Sequence, residues 1–507
     1  MLARARTATP WGIDAHPVQV DVDVRPGLPQ MSIVGLPDAS IRESRERVRA
    51  AIKNSGFELP PRAVVINLAP ADLRKEGSHI DLAIALALLA ALGVIEDGAL
   101  EDRLVCGELG LDGAVRPIRG GLAIADLARR DGDRELLVPV ANGGEAAALD
   151  GVTVIPVPSL IAAVEHLRGS ETIPDARPVD PEPLARGWID MAEVRGQETA
   201  KRALEVAAAG AHNLLLIGPP GTGKTMLART LPGILPPLSK TEAIEVTKIR
   251  SLVAESPPAS LVTERPFRSP HPAVSTYGLI GGGSTPRPGE VTLAHAGVLF
   301  LDELPEFRRS TLEGLRQPLE DGQVSIVRAR ARCTFPSRFA LVAAMNPCPC
   351  GHLGDERKVC HCAPHTIERY RSKISGPLLD RIDLHIEVPT VPIAAWRAAP
   401  GESSADVATR VATARARQRA RYGADDSTPV NAAMQDLDRH ARLDKGGQRL
   451  LDAAYDRLGL SARAVTRIRK VARTLADLAD RERITSADVA EAIQYRALDR
   501  RSSDLYI

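Results

Sequence analysis

Aromatic side chains are scarce in this sequence, because phenylalanine, tyrosine and tryptophan together make up 3% of its 507 residues. Its hydrophobic cores must therefore be built mainly from alanine, valine, leucine and isoleucine. Single-stranded nucleic acids often stack on several aromatic side chains, so the composition argues against a binding mode that depends on many such stacks. The hydrophobic content of 44% is nevertheless ample for folded domains and argues against wholesale disorder.

The sequence also has little net charge, few cysteines and no long apolar run. Its 65 basic and 64 acidic residues give a formal charge of +1, which argues against a wholly basic or wholly acidic protein. Six cysteines do not make a disulfide scaffold in a chain of this length. The longest apolar run, 82–95, is too short to cross a bilayer, and the first residues do not resemble a signal peptide. We therefore expect a cytoplasmic protein without a membrane partner.

The chain divides into an expected pair of α/β domains, a linker between them and a helical C-terminal part. Residues 1–170 alternate between strand and helix patterns, and residues 171–190 are rich in proline, as linkers often are. Residues 191–390 return to strands and helices, whereas residues 391–507 carry helical patterns without strand signals. The predicted fold class is α/β with a helical lid.

A glycine-rich loop between a strand pattern and a helix pattern indicates the chemistry. Residues 214–217 read as a buried strand, and the loop after them fits G-x-x-x-x-G-K-[ST], which cradles nucleotide phosphates with backbone N–H groups. In this pattern the lysine supplies charge to the phosphates and the last hydroxyl binds Mg²⁺. The residues predicted to hold the nucleotide are Gly218, Pro219, Pro220, Gly221, Thr222, Gly223, Lys224 and Thr225.

Two later strand patterns end in polar residues that suit the same chemistry. Residues 298–301 form an apolar strand followed by Asp302 and Glu303. Asp302 is predicted to hold Mg²⁺ together with Thr225, and Glu303 to act as general base toward the attacking water. The strand that ends near Met345 is followed by Asn346, a candidate to sense the γ-phosphate. The predicted cofactors are ATP and Mg²⁺.

Four of the six cysteines fall within a short segment. They form a CxC-x9-CxC pattern whose thiolates could hold a structural Zn²⁺ ion tetrahedrally. The alternative is four reduced thiols in a loop, and neighbouring histidines could replace some of them as ligands. The candidate ligands are Cys348, Cys350, Cys360 and Cys362.

Taken with these motifs, the sequence resembles the YifB/ComM family of magnesium-chelatase-like AAA+ proteins. The resemblance covers nearly the whole chain and is carried by segments that include IVGLPDASIRESRERVRAAIKNSGF, NLAPADLRKEGSHIDLAIALALLA, GELGLDGAVRPIRG, FRSPHPAVSTYGLIGGG, PRPGEVTLAHAGVLFLDELPEF, AAMNPCPCG and SGPLLDRIDLHIEVP. It implies an AAA+ P-loop core, a Lon-protease-like (S5-type) N-terminal domain and a helical magnesium-chelatase-like lid. It also implies assembly into a ring, as a homohexamer, and an action on DNA in natural transformation.

The resemblance implies roles for two further arginines. Arg381 matches the arginine finger, which reaches the nucleotide of a neighbouring subunit, and Arg463 matches the sensor-2 arginine, which acts in its own subunit. Both would stabilise charge on the transferring phosphoryl group. The alternatives are a salt bridge of Arg381 with Asp380 or Asp383, and a solvated helix charge at Arg463.

The Lon-like domain lacks the catalytic pair of its namesake in this sequence. Where the resemblance would put the nucleophilic serine stands His79, next to Ser78, and where it would put the lysine stands Ala123. Because proteolysis needs both an activated nucleophile and its base, we expect a scaffold or DNA-interacting module.

Three arginines in the sequence QVSIVRARAR are candidates for DNA contact. Arg328, Arg330 and Arg332 alternate with alanine, so on one strand they would share a face. In related ring motors a hairpin at this place projects toward the pore, where arginines would contact phosphates without reading sequence. The alternative is an edge strand protected by charge.

The resulting functional hypothesis is a ring-forming ATPase, a helicase or translocase that moves branched or single-stranded DNA during recombination. A magnesium-chelatase-type metal-insertion motor and a protein-remodelling ATPase are the alternatives.

Overall fold

The computed structural model describes the chain except for residues 72, 74, 76, 97, 180–187, 255–257, 284–285, 329–330, 356, 424–429, 497 and 499–507. The chain forms two compact units: residues 1–182 with 243–263, and residues 183–242 with 264–507. Much of the expected linker, residues 180–187, lies outside the described part. Among the described residues, no helix is both long enough and apolar enough to traverse a membrane.

The first unit is built on a mixed seven-stranded sheet. Its elements are β1 (Leu2–Trp11), β2 (Asp14–Arg25), β3 (Gln30–Val34), α1 (Ala39–Asn54), β4 (Ala63–Ala69), α2 (Asp81–Ala91), β5 (Arg103–Val105), β6 (Glu108–Leu109), β7 (Val115–Arg116), α3 (Gly121–Asp131), β8 (Glu135–Pro139), α4 (Val140–Ala147), β9 (Thr153–Val157) and α5 (Leu160–Arg168). The strand order is β3-β4-β2-β1-β5-β8-β9. Strands β1 and β2 are antiparallel, whereas β5, β8 and β9 run parallel.

Alternating apolar residues explain how this sheet forms. The valines at positions 18, 20, 22 and 24 of β2 are buried, whereas Gln19 between them is exposed. Helix α2 has ten buried residues, and all of them except Asp81 are apolar. The side chain of Asp38 caps helix α1 by accepting a hydrogen bond from the Ile41 N–H at 2.8 Å.

The second unit contains the remaining helices and strands. In chain order they are α6 (Glu198–Gly210), β10 (Leu214–Ile217), α7 (Lys224–Ile234), α8 (Lys240–Val253), β11 (Phe267–Arg268), α9 (Thr276–Ile280), β12 (Gly281–Gly282), β13 (Arg287–Pro288), α10 (Glu290–Leu293), β14 (Val298–Leu301), α11 (Arg309–Glu313), α12 (Arg316–Asp321), β15 (Gln323–Arg328), β16 (Ala331–Pro336), β17 (Ala340–Met345), α13 (Pro364–Arg371), α14 (Gly376–Leu379), β18 (Leu384–Glu387), α15 (Ile393–Trp396), α16 (Ser404–Tyr422), α17 (Leu437–His440), α18 (Lys445–Leu458), α19 (Ala462–Leu478) and α20 (Ser486–Gln494). Helix α8 is the exception, because most of it belongs to the first unit.

A five-stranded parallel sheet positions the candidate site. Its order is β11-β14-β17-β10-β18, so the strand before Asn346 lies between the strand before the glycine-rich loop and the strand before Asp302. Since all neighbours are parallel, the carboxyl ends of these strands meet at one edge of the sheet. Ligands of open parallel sheets bind at that edge.

The segment 243–263 packs within the first unit, although the sequence prediction included it in the 191–390 domain. The Lys248 ammonium contacts the Asp126 carboxylate at 2.8 Å, and the Gly120 N–H donates to the Ser251 hydroxyl at 3.1 Å. Each pair joins residues more than 120 positions apart in the chain, a relationship that no local pattern indicates.

The C-terminal part is helical, and its core continues that of the parallel sheet. Val411, Ile468 and Val489 belong to the same buried cluster as Leu214 and Leu384 of the sheet. Residues 391–507 therefore pack as part of the second unit rather than as a body with a separate core.

Candidate nucleotide site

The glycine-rich loop joins β10 to α7 at the carboxyl edge of the parallel sheet. Gly221 and Gly223 have φ angles of 79° and 86°, in the left-handed region that favours glycine. At Gly218 a Cβ atom would lie 2.2 Å from the carbonyl oxygen of Val388, so a side chain does not fit there. The loop thus requires the glycines that the motif contains.

Lys224 begins α7, and its ammonium turns back over the loop. Its Nζ donates hydrogen bonds to the carbonyl oxygens of Gly218 at 2.6 Å and Pro219 at 2.8 Å, and to Asn346 Oδ1 at 3.3 Å. These three acceptors are neutral, so they orient the ammonium without neutralising it. The pKa of Lys224 lies below its usual value, because burial lowers it by more than the charges of Asp302 and Glu303 raise it. A cation held in this way fits an anionic phosphate.

Thr225 and Asp302 meet directly, as the predicted Mg²⁺ site requires. The Thr225 hydroxyl donates to Asp302 Oδ2 at 2.9 Å. A hydroxyl oxygen and a carboxylate oxygen are the hard ligands that Mg²⁺ prefers. The donor set therefore fits that ion.

Glu303 adopts an unusual backbone conformation beside this pair. Its φ angle is +52°, which is uncommon for a residue with a side chain. Its N–H donates to Asp302 Oδ1 at 2.9 Å, so this turn helps to fix the Asp302 carboxylate. The Glu303 side chain is exposed at the same edge, where it can reach a water molecule. Such strain is often retained at functional sites.

Sequence reasoning missed Gln197, which braces the loop from outside. Its side-chain Nε2 donates to the carbonyl oxygen of Thr222 at 3.2 Å and to that of Pro389 at 2.6 Å. The residue lies just before α6 and has a left-handed φ of 60°. The only local signal for Gln197 is its place in the short segment Val194–Gln197 before a helix. One of the two acceptors of Gln197 lies 192 residues away in the chain, where no local pattern could indicate it.

Arg381 lies just after α14 and is held by contacts within its own chain. Its Nη1 donates to the carbonyl oxygen of Pro377 at 2.7 Å, and its Nη2 pairs with Glu320. The side chain retains 15% exposure. The salt-bridge partner of Arg381 is Glu320 of α12, and not Asp380 or Asp383, which were the expected alternatives. Asp380 pairs with Arg463 instead.

Arg463 is 71% exposed near the start of α19, and its Nη1 lies 3.4 Å from Asp380 Oδ2. Asp380 directly precedes Arg381, so the two predicted arginines lie in one charged neighbourhood. The structure thus groups Lys224, Thr225, Asp302 and Asn346 by hydrogen bonds, and it groups the two arginines separately.

The arginine segment forms the predicted hairpin, but its arginines do not lie on a single strand. The register pairs Val327 with Arg332 and Arg328 with Ala331, so β15 and β16 are antiparallel partners. Arg328 and Arg332 consequently stand on different strands, and the expectation of one shared strand is wrong. For these two residues the backbone alone is described, and Arg330 lies outside the described residues.

The four clustered cysteines converge after β17. Sulfur–sulfur distances are 3.4 Å for Cys348 to Cys350, 3.6 Å for Cys348 to Cys360 and 3.6 Å for Cys350 to Cys360. With Cys362, all four Sγ atoms lie within 4.8 Å of one another. The cluster therefore fits a metal ion that takes thiolate ligands.

In the first unit, the residues at the Lon-like position make structural contacts. The Ser78 hydroxyl donates to Glu108, and the Lys75 ammonium donates to the carbonyl oxygen of Pro70. His79 is buried, and this burial lowers its pKa to about 4, so the imidazole is neutral at pH 7.

Three magnesium-chelatase sequence families match successive parts of the chain. The family described as "Subunit ChlI of Mg-chelatase" matches residues 20–142, and "Magnesium chelatase, subunit ChlI" matches residues 190–396. A third, "Magnesium chelatase, subunit ChlI C-terminal", matches residues 401–496.

Relatives of similar length match almost throughout. The uncharacterized protein YifB of Escherichia coli is 44% identical over 503 residues, and competence protein ComM of Haemophilus influenzae is 41% identical over 507 residues. Each match covers 98% of both chains. The chain belongs to the YifB/ComM family of magnesium-chelatase-like proteins. The predicted family is thereby confirmed.

The YifB/ComM chain also shows a more distant similarity to a Lon protein. Lon protease 2 of Bacillus subtilis is 29% identical over 171 residues, which cover 32% of this chain and 30% of the relative. Together with the parallel sheet, these matches support a mixed α/β chain with AAA+-like and Lon-like homology.

Proposed function

We propose that this YifB/ComM protein is an ATP-hydrolysing motor that forms a ring and moves DNA. The observation that carries the proposal is a pair of hydrogen bonds at the carboxyl edge of a parallel sheet, one from Lys224 to Asn346 and one from Thr225 to Asp302. The relation to competence protein ComM supports a role in natural transformation. The proposed substrate, as the family resemblance implies, is branched or single-stranded DNA, bound without sequence specificity during recombination.

The residues of the site divide the work of hydrolysis between them. ATP would supply the transferable phosphoryl group, and Mg²⁺ would supply positive charge beside it. Lys224 would attract the phosphates, Thr225 and Asp302 would hold the ion, and Glu303 would accept a proton from the attacking water. Asn346, already hydrogen-bonded to Lys224, orients the reacting groups.

Ring assembly would complete the site with charge from a second subunit. In the proposal Arg381 acts in trans on the neighbour's nucleotide, and Arg463 acts in its own subunit, as the AAA+ resemblance implies. For this role Arg381 would leave Glu320, its present partner, and bind a phosphate of the neighbouring subunit's nucleotide. A homohexamer is the proposed assembly.

The hairpin of β15 and β16 is the proposed DNA contact. It precedes β17, which ends at Met345 directly before Asn346, so one strand separates it in sequence from a residue of the nucleotide site. Arg328, Arg330 and Arg332 would neutralise backbone phosphates and so bind DNA of any sequence. The protein as a whole is close to neutral, so we propose that binding depends on the ring, which brings several hairpins together.

The remaining predictions complete the proposal. The four clustered cysteines hold a structural Zn²⁺ ion, and the cytoplasm is the proposed location. The first unit serves as a scaffold or DNA-interacting module rather than as a peptidase, since His79 and Ala123 stand where the resemblance would put the catalytic pair, and the neighbouring Ser78 hydroxyl donates to Glu108.

One experiment separates the DNA motor from a chelatase-type motor or a protein-remodelling ATPase. ATP turnover is measured for the wild type and for Lys224→Ala, each with forked DNA, a four-way junction or an unfolded protein. Stimulation of the wild type by the DNA substrates supports the proposal. Stimulation by unfolded protein alone, or by no DNA substrate, would overturn it.

A further inference from the structure

The cysteine cluster has the dimensions of a single tetrahedral metal centre. Four sulfurs at the usual zinc–sulfur distance of about 2.3 Å lie roughly 3.8 Å from one another. The three measured separations, 3.4 Å, 3.6 Å and 3.6 Å, are close to that value. Cys348 is fully buried, whereas Cys350 is exposed, so an ion can enter from the solvent side.

The cluster is tied closely to Asn346 along the chain. Cys348 follows Asn346 by two residues, and Cys362 precedes the first residue of α13 by two residues. Helix α13 returns to the same place, because the Arg371 guanidinium donates to the carbonyl oxygen of Pro347 at 3.2 and 3.3 Å. Tyr370 of this helix hydrogen-bonds with the backbone of Asn346.

The cysteine loop also lies against the glycine-rich loop. At Gly351, which has a φ angle of 84°, a Cβ atom would be 2.8 Å from Pro220 Cδ and 3.9 Å from Asn346 Cγ. The Gly351 N–H donates to the Cys348 carbonyl oxygen at 3.0 Å, so this contact is built on a cysteine ligand. One small loop therefore touches both Pro220 and Asn346.

We propose that Cys348, Cys350, Cys360 and Cys362 bind one Zn²⁺ ion whose function is to position Asn346 and the glycine-rich loop for hydrolysis. Without the ion, four separate thiols leave a loop of residues 348–362 that gains conformational freedom. With the ion, the loop is cross-linked, and its contact with Pro220 is fixed. The cysteines are positioning residues, because they act through Asn346 and the loop. The inference rests on the ATPase part of the proposed function and not on DNA as substrate.

The first test measures the metal in the full-length protein. Mass spectrometry of the elements should find one zinc ion per wild-type chain and almost none in Cys348→Ser/Cys360→Ser. The matched control is Cys106→Ser, which alters a buried cysteine of the first unit and should retain the zinc. A metal-free wild type, or iron in place of zinc, would overturn the proposal.

The second test asks whether the ion positions the site. Hydrogen–deuterium exchange is followed in peptides 216–225 and 340–347 of the wild type before and after removal of zinc by a zinc-selective chelator. Exchange should become faster in both peptides and return to its initial rate when Zn²⁺ is added back. Exchange rates that do not change on zinc removal would refute the positioning role, and this readout does not require ATP turnover.

The third test separates metal binding from positioning. Gly351→Ala keeps all four thiols, but its Cβ atom would press against Pro220. This variant should retain zinc and ATP affinity yet lose up to about 100-fold in turnover, as misplaced catalytic groups do. Wild-type turnover in Gly351→Ala would contradict the inference. If the wild type shows the zinc and exchange effects and hydrolyses ATP, but no DNA substrate stimulates it, the proposed DNA motor fails and the inference stands.

Discussion

The hydroxyl of Thr225 donates a hydrogen bond to the carboxylate of Asp302 at 2.9 Å, although 77 residues separate them in the chain. The parallel sheet makes this contact possible, because it brings the loop after β10 and the turn after β14 to one edge. The contact is the structural basis of the proposed Mg²⁺ site.

Asp302→Asn tests this site. The substitution keeps the hydrogen-bonding shape but removes the negative charge that attracts Mg²⁺, so ATP turnover should fall by about 100-fold or more. Steady-state ATPase assays over a range of Mg²⁺ concentrations measure the effect. Asp321→Asn changes an exposed acid at the end of α12 and serves as the control. Equal turnover in the two variants would argue against Asp302 as an Mg²⁺ ligand.

Arg381→Ala tests the proposed action in trans. Hydrolysis should fall about a thousandfold or more, as it does when an arginine finger is removed, while ATP binding persists. Because Arg381 and Lys224 would then serve different sites of the ring, mixing Arg381→Ala with Lys224→Ala should restore some intact sites and some turnover.

The control for this experiment is Glu320→Gln, which breaks the ion pair but leaves Arg381 in place. It should retain ATP turnover, because the proposed role belongs to the arginine. If mixed subunits regain no activity although they assemble, the assignment of Arg381 to a neighbouring subunit is wrong.

Substitution of the hairpin arginines tests the DNA surface. Arg328→Ala/Arg332→Ala should weaken binding to duplex DNA of any sequence. The slope of log binding constant against log salt should become shallower by about 0.9 for each phosphate that the protein no longer neutralises. Fluorescence anisotropy at several salt concentrations gives this slope. Arg457→Ala, at an exposed position of α18, is the control, and identical slopes for all three proteins would exclude the hairpin from the interface.

The buried His385 predicts a dependence of stability on pH. Burial, and then the charge of Arg496, lower its pKa to about 3. Below the unfolded value of about 6.5 the unfolded chain takes up a proton that the folded chain does not. Stability should therefore fall as the pH falls from about 6.5 toward 3, by on the order of 1 kcal/mol per pH unit.

Urea unfolding of the wild type and of His385→Gln at pH 7 and pH 5 measures this effect. The loss of stability on acidification should be smaller in the variant, since the titrating group is gone. His365→Gln alters an exposed histidine and should behave as the wild type does. The same pH dependence in His385→Gln and the wild type would contradict the assignment.

Local patterns in the sequence were sufficient to predict the strands that carry the nucleotide site. The apolar runs 214–217 and 298–301 coincide with β10 and β14, because four consecutive buried residues leave little choice of pairing in a parallel sheet. The glycine-rich loop was equally clear, since the φ angle of Gly223 requires the residue found there.

Contacts between distant parts of the chain could not be predicted from local sequence patterns. Neither the brace formed by Gln197 nor the partner of Arg381 could be inferred, because each depends on how separate elements pack. The alternation of arginine and alanine looked like one strand, yet Arg328 and Ala331 belong to two different strands that pair with each other. Periodicity reveals which face a residue occupies on a strand, but not where the strand ends.

The most direct test of the account is the ATP-dependent movement of a labelled four-way DNA junction by the full-length protein. With ATP and Mg²⁺ the wild type should convert the junction into separate duplexes, while Lys224→Ala should bind the junction without converting it. A wild type that hydrolyses ATP but leaves the junction intact, or a Lys224→Ala variant that converts it equally well, would contradict a DNA motor driven by this nucleotide site.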